Sequence, residues 1–399
     1  MRSIKEIFVK GIGPSSSHTM GPVKACEYIL NKYNNISFIK VTLFGSLAST
    51  GKGHLTDYYI NLKFKDIPHE IIFNYKKKTK HPNTMEFMIV DSKGKHHIER
   101  LVSIGGGTII KEGEKKVEGK DIYPHNSMSE ILEYCKNNDL SLAEYVKRFE
   151  ESDINEYIND CINAMDKAFR RGIETEGELP GDLHLKRKAP EMYKRLLKEP
   201  QPKSKATYEL IMTIASTAVS EENAAGGEIV IAPTAGSSGV IPGVLSYLYA
   251  RGNTREEMIE AMLVAGLIGI LCKTNASVSG AEAGCQAEIG VACAMGAAAI
   301  AYCKKMPNHK IAQSAEIALE HSLGLTCDPV HGYVQVPCIE RNAIFALKAK
   351  NAVTIAKLVP SEYTIISFDD SVKTMFITGK DLRKGYRETS KKGLAALNK

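Results

Sequence analysis

The sequence predicts an α+β chain: an N-terminal α/β domain at residues 1–124, then a largely all-helical α domain at 125–399. Three observations predict it. Up to about residue 125, short β-type runs alternate with glycine-rich turns. Beyond Pro124, apolar residues recur at helical spacing almost throughout. A chain of 399 residues is also long enough to build two cores.

In order, the spacing predicts a helix from about Thr19 through Val23 to Leu30, and strands at 36–44, 58–64, 86–90 and 97–104. Glycine-rich loops fall at 11–21, 45–53 and 105–107. Helices are expected at 127–149, 154–170, 206–220 and 255–271. Another is expected at 286–304, rich in Ala and Gly, then at 311–321 and 341–356. A short strand at 363–368 and a basic helix at 370–385 close the chain.

Apolar residues make up 43% of the chain and charged residues 25%, with a net charge of +6. Lysine is dispersed and Trp is absent, so no basic face interleaved with aromatics stands out, and no nucleic-acid partner is expected. No uncharged apolar run reaches about 18 residues and no export signal opens the chain, so a cytoplasmic protein without a membrane span is expected. Nine irregularly spaced cysteines in such a chain argue against a disulfide framework.

Glycine-rich loops interrupt good helical patterns at 223–227, 233–239 and 279–285. A glycine there costs about 1 kcal/mol relative to alanine, so such loops are expected where backbone approaches a ligand. Residues 13–22 gather Ser15, Ser16, Ser17, His18 and Thr19 ahead of a helix start, more hydroxyls than an N-cap uses. That set suits an anionic group such as a carboxylate. His54 and His81 follow on separate loops. Cys285, Cys327 and Cys338 lie in loops, Cys285 and Cys338 just before helix starts, where the dipole lowers a thiol's pKa. Cys272, Cys293 and Cys303 lie in apolar helices and read as packing. Spacing alone leaves the first three open between ligation and packing, for no Cys-x-x-Cys pair is present.

The segments GPSSSHTMGP, FGSLASTGKGHLTD, KHPNTM, SIGGG, NAAGG, KTNASVSGAEAGCQAEIG, GLTCDPVHGYVQVPCIERNA and KTMFITGKDLRKGYRETSKKGLA resemble, in this order, the iron–sulfur L-serine dehydratases. The likeness runs from residue 3 to about residue 395. It implies a β domain akin to the regulatory domain of a phosphoglycerate dehydrogenase class, then a helical α domain. It implies that Cys285, Cys327 and Cys338 hold a 4Fe-4S cluster whose open iron serves as Lewis acid. His54 and His81 become the candidates for the α-proton base. Ser15, Ser16, Ser17, His18 and Thr19 become the substrate loop, with Asn223, Gly226, Gly227, Asn275 and Ser277 as further substrate-binding residues. The implied activity converts L-serine to pyruvate and ammonia, and Gly/Ala-rich helix faces suggest a homodimer.

Two departures stand out. Some members end in a cysteine that folds onto the cluster, whereas no cysteine follows Cys338 here. The stretch between Asp57 and His81 is also shorter than in long members. Cysteine desulfidation is the nearest alternative chemistry, and a zinc-containing amino-acid sensor the alternative outside enzymes.

Overall fold

The computed structural model describes residues 1–114, 119–198, 205–389 and 391–397. The chain starts with a 3-10 turn and strand β1 (Val9–Ile12), followed by helix α1 (Gly21–Lys32), which opens on Gly-Pro where a missing N–H costs nothing. Then come β2 (Ile36–Phe44), α2 (Gly45–Thr50), α3 (Thr56–Lys63), β3 (His69–Asn74), β4 (Thr84–Asp91), β5 (His96–Ser103) and β6 (Ile109–Lys111).

Five of these strands form one sheet in the order β3-β2-β4-β5-β6, parallel only between β2 and β3. Alternation places Ile39, Val41 and Leu43 of β2 on one face. They pack with Met85, Phe87 and Ile89 against Ala25, Cys26 and Ile29 of α1 and against Ile60 and Phe64. The 58–64 stretch is therefore a helix and not the strand expected. Its Tyr and Ile favour strands, but Ile60 and Phe64 stand four apart, on one helical face, and that burial wins. Strand β3 takes the place beside β2 instead. The expected 45–53 loop holds α2 and a 3-10 turn, Lys52–His54.

The helical part comprises α4 (Met128–Asn137), α5 (Leu142–Phe149), α6 (Ile154–Glu174), α7 (Ala189–Lys198), α8 (Lys205–Ala224), strand β7 (Glu228–Ile231), α9 (Val240–Ala250), α10 (Arg255–Asn275), α11 (Gly280–Ala283), α12 (Val291–Cys303), α13 (Asn308–Glu320), α14 (Cys338–Leu358) and α15 (Phe368–Asp381). The single helix expected at 127–149 is broken: Asp139 takes φ +50° and Ser141 caps α5 with a capping box to Glu144. The strand expected at 363–368 does not form. Ile365 is 96% exposed, and Ser367 caps α15 through Asp370.

Helix α12 packs at the centre, and its small residues serve contacts within the chain: a Cβ on Gly296 would meet Val244 at 3.0 Å and Ala349 at 3.4 Å. One stretch, Gln286–Cys303, is long and apolar enough to cross a membrane, and 83% of it is buried inside the protein.

Strand β1 joins the helical part, pairing antiparallel with β7, Val9 opposite Ile231 and Ile12 opposite Glu228. Ile4, Ile7 and Phe8 just before it are fully buried. Each contributes roughly 2–3 kcal/mol relative to exposure, and glycines 266 and 269 of α10 let them in. This pairing delivers residues 13–20 to the border between sheet and helices.

Candidate active site

Residues Ser16–Met20 form a single π-type turn that runs straight into α1. Ser15 caps it: its Oγ accepts from the His18 N–H at 3.1 Å, and its own N–H donates to Thr19 Oγ1 at the same distance. The turn is thereby fixed, with Ser16 and Ser17 left half-buried. His18 is buried and engaged at both ring nitrogens, Nδ1 with Ser17 Oγ at 2.8 Å and Nε2 with Ser46 Oγ at 2.9 Å. Burial, and then the neighbouring His54, hold its pKa well below the usual histidine value. A neutral imidazole between two hydroxyls orients polar groups. Ser46 stands one residue past Gly45, whose φ of +55° lets the chain turn under the Pro82 carbonyl.

His54 lies 4.8 Å from His18 between ring centroids and is 1% exposed. Its carbonyl accepts from Thr19 Oγ1 at 2.7 Å, tying it to the serine loop. Its Nδ1 faces the Thr50 carbonyl at 2.9 Å, an acceptor only, so Nδ1 carries the proton and Nε2 bears the lone pair. Burial lowers its pKa, with the Thr50 contact opposing. His81 differs. Its Nδ1 accepts from the Asn83 N–H at 3.1 Å, which leaves the proton of the neutral ring on Nε2. Its carbonyl accepts from Thr79 and Thr84, and burial lowers its pKa. His81 therefore braces the turn that carries Pro82 beneath Ser46.

From the helical side, the α8–β7 loop meets the serine loop. Gly13 N–H donates to Gly227 O at 3.0 Å, and a Cβ on Gly13 would strike the Asn223 carbonyl at 2.1 Å. Asn223 Oδ1 is buried without a hydrogen-bond partner among the described residues. Gly226 has φ +79° and lies against the Tyr59 hydroxyl. Just before the loop, Glu222 is clamped by Arg187 at 2.7 Å and Arg171 at 2.9 Å. Ser277 and Asn275 stand apart from this contact. Ser277 Oγ accepts from the Ser279 N–H and pairs with Glu282. Asn275 is exposed at the end of α10, its amide donating to the Asn126 and Leu271 carbonyls, so here it serves as a helix-end bond.

Cys285 leads into a π-turn ahead of α12, Cys338 is the first residue of α14, and Cys327 precedes the Val330–Gly332 turn. Cys285 and Cys327 share a hydrogen bond, which draws the Cys285 thiol down to about 7 against its burial and pushes Cys327 well up. Cys338 sits on a helix N-terminus, yet burial pushes its thiol well up, followed by the charge of Cys285. Arg341, one turn along α14, turns its charge towards Cys285 and Cys338. It also donates to Thr326 O at 2.8 Å and Asp328 at 3.2 Å. Glu288 reaches Cys327 Sγ at 3.6 Å, and burial, then Cys285, push its carboxyl up to about 8.

Among the described residues, no three His, Cys, Asp or Glu side chains close on one point as around a single bound ion. A cubane instead spreads its thiolates over several irons. The donor set suits that: three thiols, a half-buried guanidinium to offset thiolate charge, and Gly280 as a cradle. A Cβ there would meet Glu288 at 2.2 Å and Cys327 Sγ at 3.2 Å.

The C-terminal tail completes the site. Cys327 N–H donates to Tyr386 O and Glu388 N–H to Cys327 O, both at 2.9 Å. Glu388 Oε1 comes within 3.8 Å of His54 Nε2. Burial, then Glu288, push this carboxyl up to about 8. Ser46, Glu288, Arg341 and Glu388 were not singled out from sequence; the first three share a quoted motif with a residue that was, and Glu388 lies in the closing motif, where none was.

Residues 93–395 match the family model described as serine dehydratase alpha chain, and residues 3–66 the serine dehydratase beta chain. The L-serine dehydratase of Haemophilus influenzae is 37% identical over 99% of both chains. The L-serine dehydratase 2 of Escherichia coli is also 37% identical, over 99% of this chain and 98% of its own. That of Helicobacter pylori is 38% identical over 98% of each. The first alignment spans 451 positions, more than this chain has, so that relative carries internal residues absent here.

Proposed function

The chain belongs to the serine dehydratase family, and from that premise we propose that it converts L-serine to pyruvate and ammonia as an iron–sulfur ammonia-lyase. The observation that carries the reading is the meeting of three groups at one border. The serine loop and His54 come from the sheet side, and the thiols of Cys285, Cys327 and Cys338 from the helical side, with the tail joining His54 to Cys327. The relatives' names support the serine reading and lend nothing to a desulfidase or a zinc sensor.

The half-buried hydroxyls of Ser16 and Ser17, with the N–H groups of the turn, suit the substrate carboxylate. Ser46 and Ser17 orient His18 beside it, and burial keeps the ring neutral. His54 is the base we assign: its Nε2 lone pair is free, its Nδ1–H is fixed on Thr50 O, and burial keeps the ring unprotonated. It takes the α-proton as the β-hydroxyl departs, and the aminoacrylate released tautomerises and hydrolyses to pyruvate and ammonia. Cys285, Cys327 and Cys338 would hold a 4Fe-4S cluster, with Arg341 offsetting their charge. When bound, the cluster supplies a Lewis acid to the leaving hydroxyl.

The test is pyruvate formation from L-serine by anaerobically purified protein, with visible absorbance followed on exposure to air. Activity and absorbance are expected to vanish together, and Cys285→Ser should lack both. Full turnover by a colourless protein would sink the cluster assignment.

A further inference from the structure

L-Serine presents a carboxylate, a hydroxyl and an α-ammonium, and the groups assigned so far receive only the first two and the α-proton. The ammonium and the α-hydrogen share one carbon, so their acceptors must be neighbours. Glu388 Oε1, 3.8 Å from His54 Nε2, is such a neighbour. Among the described residues it has no Lys or Arg nitrogen within 4 Å, so an ammonium brought in by the substrate would be the cation that ionises a carboxyl otherwise held towards its neutral form. Two other acceptors are engaged or enclosed. Glu288 turns to Cys327 Sγ at 3.6 Å, and Asn223 Oδ1 is sealed behind Gly13, where a Cβ would come within 2.5 Å.

The tail holds Glu388 firmly. Its backbone takes φ +52°, in the left-handed region that non-glycine residues occupy at a cost. Hydrogen bonds over-determine it: Glu388 N–H to Cys327 O, Arg387 to the Glu282 carbonyl at 3.1 Å, and Leu394 N–H to Asp328 at 2.8 Å. A strained residue pinned on both sides, with its carboxyl aimed at the base, has the form of a ligand contact.

We propose that Glu388 receives the substrate's α-ammonium, so that the C-terminal tail selects 2-amino acids over 2-hydroxy acids. This rests on the serine dehydratase reading above. The experiment compares holoenzyme with Glu388→Gln, measuring KM and kcat for L-serine and the inhibition constant of L-glycerate, which replaces the ammonium with a hydroxyl. A lost charge-assisted contact raises the serine KM by about tenfold or more, while glycerate inhibition shifts by less than about twofold. Glu388→Asp, which keeps the charge, should recover part of the lost affinity.

A fall in kcat at unchanged KM would overturn the proposal and leave Glu388 positioning His54. Equal weakening of serine and glycerate would also overturn it, as would a silent Glu388→Gln. Should Glu388→Gln fail to fold, the aspartate variant decides by the same ratio of serine to glycerate affinity. A wild-type protein that carries visible absorbance but ignores L-serine refutes the underlying reading instead, and serine and glycerate binding by that absorbance would still test Glu388.

Discussion

Arg341→Met removes the cation that ties the cysteine face to the tail. The Arg341 side chain is 15% exposed and its partner Asp328 only 5%, at 3.2 Å. Breaking so buried a pair from one side costs roughly 3–5 kcal/mol, chiefly because the surviving charge stays desolvated. Asp328 would keep two donors, Leu394 N–H at 2.8 Å and Thr326 Oγ1 at 3.1 Å, so the lower end, about 3 kcal/mol, is expected. Asp328→Asn in the Arg341→Met background removes the stranded charge but keeps an acceptor for Leu394. The double variant should therefore be more stable than Arg341→Met alone, with a coupling of about 1–3 kcal/mol. Urea denaturation of all four proteins closes the cycle, read as midpoint at constant slope. An Arg341→Met cost below about 1 kcal/mol, with strictly additive variants, would refute the reasoning: the pair would then behave as a solvated one.

Two further perturbations follow. Gly226→Ala forces an L residue to φ +79° and a Cβ to 2.5 Å from the Tyr59 hydroxyl; roughly 1–2 kcal/mol from the backbone alone should appear as a lower Tm and a higher serine KM. Tyr59→Phe removes the struck hydroxyl, so a double variant no better than the sum of the singles would count against that contact. Glu316, on α13, has its carboxyl pushed up to about 8 by burial and then by Glu320. Its folded pKa exceeds the ordinary 4.5, so the fold holds its proton more tightly than the unfolded chain. The stability it contributes is complete at acid pH and drains as pH rises through about 8. Thermal melts from pH 5 to 9 should show Glu316→Gln losing less than wild type, and parallel curves would contradict the burial argument.

What could be read from the residues divides along the range of the interactions. Strand β2 was legible because Ile39, Val41 and Leu43 alternate within one element, and β4 and β5 likewise. The 58–64 and 363–368 stretches misled because Tyr and Ile favour strands, yet neither stretch finds an edge to pair with: one packs on α1, the other leaves Ile365 in water. Strands β1 and β7 are four residues each and pair across more than two hundred positions, where local periodicity has nothing to report. The candidate site follows the same rule. Each serine, histidine and cysteine was visible as a residue in a motif, but spacing left the cysteines ambiguous, and only the resemblance assigned them. Glu388 was invisible as chemistry: within its own segment it is one more charge on a basic tail. Its meaning arises from Cys327, whose backbone grips the tail on both sides and turns the carboxyl to His54, 334 residues earlier. Catalysis at a border between two parts requires such return contacts, because acid, base and ligand must arrive from separate elements to be held at fixed distances. The residues that close the border are therefore the ones a linear reading passes over.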